Sequence, residues 1–199
     1  MNSEKKGFTA KDLITTGIFS VLLLLAAMIT GGPFASIPTL TFYFPIGAAL
    51  LAGPIFMLFI AKVPKYGALA IVGVIMCILG TLTGMHWGMN FGFLICAILA
   101  AVISGIGKFK KPALNLIAYI VYCIGPMGSY LVFIFNKESW VSFMLKKGTE
   151  QEYIDKMSEV ATGSTIAIMV IGTIVVATLS GLLGLRLMRK QFVKAGIAS

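Results

Sequence analysis

Apolar stretches close to 20 residues long recur along this chain, beginning with "LITTGIFSVLLLLAAMIT". A helix of that length spans about 30 Å, the thickness of a bilayer's hydrocarbon layer. Composition agrees: 58% of the 199 residues are apolar and 12% charged. A water-soluble domain carries roughly 45–50% apolar and about 25% charged residues. The chain therefore reads as an all-α integral membrane protein, one domain from 1 to 199, with nearly all its residues given to the bilayer.

Six transmembrane helices are expected, over about 13–30, 40–61, 66–84, 87–106, 112–135 and 161–187. Thr9 and Asp12 have the spacing of a capping box ahead of the first. Pro45 and Pro54 fall in the second span and Pro126 in the fifth. The first apolar run is too long for the core of a signal peptide and is not followed by a clear small-x-small cleavage site.

The net charge of +9 does not point to nucleic acid here, because lysine and arginine mark the cytoplasmic side of membrane proteins. Lys5, Lys6 and Lys11 precede the first span. Lys62 and Lys65 follow the second, Lys108, Lys110 and Lys111 follow the fourth, and Arg186, Arg189, Lys190 and Lys194 follow the sixth. Twelve of the sixteen basic residues thus fall on one side, which puts both termini in the cytoplasm. The cell membrane, crossed several times, is the expected location. Cys77, Cys96 and Cys123 lie inside apolar runs without metal-ligand spacing and read as packing residues.

Three loops then face outward: "GGPFASIPT", "GMHWGMN" and the segment 136–160. In the last, Trp140, Phe143 and Met144 share one helical face, as do Ile154, Met157 and Ala161. Such an amphipathic segment lies along the interface or folds over the bundle as a lid; both readings stand.

No ionisable residue falls deep within a span, so the proton relay or charged coupling site of an ion-driven carrier is missing. There is no phosphate-binding GxxxxGK[ST] loop, no HExxH, and no nucleophile–histidine pair. An enzyme is not expected, nor is a cofactor. Small residues recur at four-residue spacing on several spans, including Gly92, Cys96, Ala100 and Ser104, and mostly pack the bundle itself. Thr16, Gly17 and Ser20 near the cytoplasmic end of the first span form a small patch that suits a partner's helix.

The stretches "GAALLAGPIFMLFIAKVPKYGA", "GPMGSY" and "LGLRLMRKQFVKAGIAS" resemble the Trep_Strep family of membrane proteins. More broadly the chain is similar to the substrate-binding (S) components of energy-coupling factor (ECF) transporters. That resemblance implies a six-helix bundle that takes a vitamin-like micronutrient from outside. It further implies docking on a transmembrane coupling protein that carries two ATPase subunits. S components dock through small residues of the first span, often alanines; the matching positions here are Thr16/Gly17 and Ser20/Val21, none of them alanine.

"GMHWGMN" holds the chain's only histidine and one of its two tryptophans, and under this resemblance it sits where the ligand binds. Trp87 stacks on a ring or anchors at the interface. His86 and Asn90 hydrogen-bond an organic ligand, or His86 with Met85 or Met89 ligates a soft metal or haem iron. Phe34, Thr39, Tyr43, Tyr122, Tyr130 and Trp140 complete the candidate pocket. With no buried charge available, the small-molecule ligand is neutral or keeps its charge near the mouth. A self-sufficient membrane carrier, or a membrane enzyme, is the competing class.

Overall fold

The computed structural model describes residues 7–194. Nine α-helices appear among them: α1 Ala10–Ala35, α2 Phe44–Lys62, α3 Tyr66–Leu82, α4 Trp87–Ile106, α5 Pro112–Ile124, α6 Met127–Phe135, α7 Lys137–Lys146, α8 Gln151–Glu159 and α9 Gly163–Lys194. A 3₁₀ turn, Pro38–Tyr43, leads into α2. Lys5, Lys6 and the tail 195–199 lie outside the described residues.

α1, α4, α9 and the 3₁₀ turn with α2 are each long and apolar enough to cross a bilayer. α5 and α6 pass the same test together, although bent by 46°. Up to five spans are thus found among the described residues by this measure, where the sequence suggests six. α3, the remaining one, is apolar but only 17 residues long.

Proline breaks one span and is accommodated within another. Pro126 cannot continue the ladder of α5, and its ring opposes the carbonyl four residues back, so the expected span 112–135 breaks at Gly125–Pro126. In α2 the helix runs through Pro54. Its missing N–H frees the carbonyl of Leu50, and the Ser180 hydroxyl on α9 donates to that oxygen at 2.7 Å. Ser180 Oγ in turn accepts the N–H of Gly53 at 3.1 Å, and the Tyr119 hydroxyl donates to the carbonyl of Ala49. A polar stitch across three helices replaces the bonds that proline removes. Ser180→Ala should therefore lower stability by about 1–2 kcal/mol, since a buried carbonyl loses its donor and hydrogen bonds between membrane helices are modest. A thermal shift of the purified variant checks this; an unchanged midpoint would mean that the stitch contributes nothing.

Close contacts order the bundle. Gly31 meets Phe44, which packs the end of α1 against the start of α2. Phe19 and Phe59 stack at 5.5 Å near the other end of the same antiparallel pair. Gly172 lies against Ile46 and Gly184 against Met57, so α2 and α9 run parallel. Gly73 faces Ala97 in the antiparallel α3–α4 pair. The core holds Leu23, Phe56, Ile60, Leu69, Met76 and Tyr119.

One pole of the bundle gathers most of the cations. The capping box of Thr9 and Asp12 starts α1, and Lys65 pairs with Asp12 at 2.6 Å. The Tyr66 hydroxyl donates to the carbonyl of Gly105 at 2.8 Å, and Phe109 packs edge-on against Tyr66 at 5.2 Å. These contacts bring the turns carrying Lys62, Lys65, Lys108, Lys110 and Lys111 to the N-terminal end of α1. The parallel run of α2 and α9 directs Arg186 and Arg189 to that pole too.

The expected docking patch is corrected in part. Thr16 and Ser20 are fully buried, and their hydroxyls bond back to the carbonyls of Asp12 and Thr16 at 2.7 and 2.8 Å. They share the inward face with Phe19 and Leu23, because all four lie on one stripe at 3.6-residue period. Only Gly17 of the three stays at the surface, with open space beyond its Cα. The outward face is Ile14, Ile18, Val21 and Leu25.

Candidate functional site

At the opposite pole a cavity of about 430 Å³ opens between α1, the 3₁₀ turn, the α3–α4 turn, α6 and the α7–α8 segment. Its walls include Met28, Thr41, Phe44, Met85, His86, Met89, Ser129, Tyr130, Trp140, Met144, Glu150 and Tyr153. The size falls in the range of roughly 300–1,000 Å³ that holds small organic ligands.

The α7–α8 segment covers this cavity and is well secured. Asn136 caps α7 by accepting the Ser139 N–H at 3.2 Å. Trp140 is 3% exposed, packs edge-on against Phe133 at 5.1 Å and donates its Nε1–H to Ser129 Oγ at 3.0 Å. On α8, Ile154 and Met157 are buried, and the Tyr153 hydroxyl donates to the carbonyl of Ala35 at 2.6 Å. The amphipathic faces read from the sequence are the ones that pack. Hydrophobic burial and two hydrogen bonds to other helices, α6 and α1, tie the segment down over the end of the bundle.

His86 occupies the N-cap of α4, in the turn outside the spanning helices, and is 3% exposed. Its ring stacks near Trp140 at 5.9 Å and meets Phe143 edge-on at 4.8 Å. Nδ1 accepts the N–H of Gly88 at 3.0 Å, satisfying one of the orphan donors at the helix start. The proton of the neutral ring therefore sits on Nε2, which is buried and has no partner among the described residues. Burial pushes the imidazole down to about 4, so the ring is neutral at physiological pH. An unpaired buried donor of this kind costs roughly 1–3 kcal/mol. The same tautomer opposes metal ligation: a metal on Nε2 needs the proton on Nδ1, where it would face the Gly88 N–H.

Five of the residues expected in the pocket line this cavity: Met85, His86, Met89, Tyr130 and Trp140. The others lie elsewhere. Trp87 is 42% exposed and does not line the cavity; its ring tilts against His86 at 5.2 Å and is edge-on to Phe91 at 6.4 Å. Asn90 is buried but closes its own turn, donating to Thr81 Oγ1 at 3.1 Å and to the carbonyl of Met85 at 3.3 Å. Tyr122 sits deeper, between Phe56 and Phe93, beside a much smaller void. Phe34 is half-buried against Gly47, Thr39 is exposed and Tyr43 is half-buried.

The first outer loop contributes Thr41 and Phe44 instead. The span was expected to start at residue 40, yet residues 38–43 form a 3₁₀ turn with three residues per turn. That changes which side chains face inward. Tyr130 donates its hydroxyl to the Thr41 carbonyl, and Phe42 packs on Tyr130 at 5.2 Å. Ser129 and Tyr153 were also not anticipated, and Met144 was flagged only on the amphipathic face of the covering segment. Ser129 stands beside Tyr130 in "GPMGSY" and Tyr153 beside Ile154, so adjacency to flagged residues was the available signal.

A family model described as hypothetical bacterial integral membrane protein (Trep_Strep) matches residues 10–194. No curated protein and no solved structure matches the chain. The match runs from the first residue of α1 to the last of α9 and agrees with the apolar spanning helices, so the chain belongs to the Trep_Strep family of bacterial integral membrane proteins.

Proposed function

We propose that the protein is the small-molecule-binding subunit of an importer and works as the S component of an ECF transporter does. In this reading α3 is a sixth crossing: 17 residues make about 25 Å of helix, enough with slight thinning of the bilayer. Both termini and the lysine-rich turns face the cytoplasm, and the cavity faces outward. A coupling protein and two ATPase subunits supply the energy, and the cargo is a micronutrient. The protein itself carries out no covalent chemistry.

The observation that carries the reading is the position and lining of the cavity. It lies at the pole opposite most of the cations and is roofed by a tethered segment. Its wall is apolar and aromatic, with a few fixed polar groups, as binding sites for small organic molecules are. Among the described residues no Asp, Glu, Lys or Arg side chain is buried, and in this reading partner subunits drive uphill movement.

The test is transport with and without partners. Mass spectrometry of the protein purified from its own membranes should recover one small organic molecule at near-stoichiometric yield. Vesicles holding only this protein should bind that molecule without accumulating it, whereas native membrane vesicles given ATP should concentrate it. Accumulation against a gradient by the isolated protein would make it a self-sufficient carrier and overturn the reading.

A further inference from the structure

We propose that the cavity selects an uncharged, ring-sized organic molecule whose carbonyl oxygen or ring nitrogen accepts a hydrogen bond from Nε2–H of His86. The proposal rests on the binding-subunit reading and adds the chemical class of the cargo.

Hydrogen-bond accounting carries it. Tyr130 donates to the Thr41 carbonyl, Trp140 to Ser129, and Tyr153 to the Ala35 carbonyl. Each of these aromatic donors is satisfied within the protein. His86 is the exception: it lines the cavity, 3% exposed, with Nε2 unpartnered. Its ring is also fixed. Gly88 N–H holds Nδ1, while the rings of Trp87, Trp140 and Phe143 pack against the imidazole. A buried donor held in one direction and left unpaired beside the cavity discriminates strongly, because a ligand without the matching acceptor leaves it unpaired still.

Charge and wall texture narrow the class. Glu150 is the one charged residue lining the cavity, and no lysine or arginine lines it. An anionic ligand would lose its hydration with no counter-charge and would face a carboxylate at the mouth. Met28, Met85, Met89 and Met144 give flexible, polarisable walls that suit the face of a ring.

The chain has a single histidine, so ¹⁵N-histidine labelling reports on His86 alone. The probes are benzamide, its anionic isostere benzoate, and toluene, which has no acceptor, added to the whole protein in lipid nanodiscs. Binding is read on the His86 ring nitrogens and on the methionine methyl groups. Benzamide should shift the Nε2 resonance saturably, and benzoate should bind at least about tenfold more weakly. His86→Gln keeps an N–H donor and should keep the preference for benzamide over toluene. His86→Leu should reduce that preference to about one. Equal affinity for benzoate, no response to benzamide, or an intact preference in His86→Leu would each overturn the proposal. These measurements need no partner subunits. If benzamide behaves as expected while the isolated protein accumulates its cargo unaided, the importer reading fails and the ligand class stands.

Discussion

Replacing Gly92 with valine is expected to leave little folded protein. Gly88 and Gly92 on α4 cross Gly125 and Gly128 at the break between α5 and α6, with backbone against backbone. A Cβ at Gly92 falls on the carbonyl of Gly125, and one at Gly88 comes within 2.7 Å of the carbonyl of Gly128. Neither obstacle can rotate away as a side chain would. Overpacking typically costs about 1–3 kcal/mol, and a clash between main chains belongs at or beyond the upper end. That is a large part of the 5–15 kcal/mol or so that a domain has. Gly92→Ala should be milder but still lower the melting midpoint. Gly17→Leu is the control, since nothing lies within 4 Å of its added Cβ. Size-exclusion profiles and thermal shifts of the three purified variants decide it. A monodisperse Gly92→Val protein with the native midpoint would mean that α4 does not cross the break as described.

The same glycines show what the sequence discloses and what it hides. Small residues at four-residue spacing mark α4 as a close-packing helix, and Gly92 was legible on that ground. The partner of that face was not. Gly125 and Gly128 lie over thirty residues away, and their approach depends on a bend that Pro126 permits without setting its angle. Helix existence follows from apolar runs, which is a local property. The inward rotation of each helix near its ends does not follow. Thr39 and Tyr43 were expected to face inward and Thr41 does, because three residues per turn replaced 3.6 over 38–43. Thr16 and Ser20 illustrate the same difficulty. Small polar residues on a membrane helix suit an inward face or a docking face equally, and only the packing of Phe19 and Leu23 beside them shows which. The site was legible where rare residues cluster, at Met85, His86 and Met89. It was opaque where common ones converge from distant elements, as Met28, Ser129 and Tyr153 do.

Trp140→Ala should free α7 from the cavity and release His86 to water. The indole is almost fully buried, yet it belongs to a short helix whose neighbours Ser139 and Ser142 are not. Removing it deletes the bond to Ser129, the edge contact with Phe133 and the stack on His86. Truncating a buried tryptophan costs about 3–5 kcal/mol. The bundle below keeps its own core, so the loss should fall on the attachment of α7 rather than on the whole fold. Amide exchange should accelerate over residues 137–147 while staying slow in α2 and α4. The imidazole supplies a second readout. In the native protein burial depresses it to about 4, against 6.5 for a free histidine. Between those values the unfolded chain binds a proton that the folded one refuses, so stability falls as pH drops from 6.5 toward 4. Glu150 and the hydroxyls of Tyr130 and Tyr153 share the cavity, and Lys147 lies over the Phe143 ring at 5.8 Å. None of these gives His86 a counter-charge by direct hydrogen bond. With the indole gone, water can reach the ring, and its titration should move up toward 6.5. The variant's stability should then depend less on pH across that window than the native protein's does. Nitrogen resonances of the single histidine, followed through an acid titration, measure the shift directly. A ring that still titrates near 4, with exchange over 137–147 unchanged, would show that Trp140 neither anchors α7 nor keeps His86 dry.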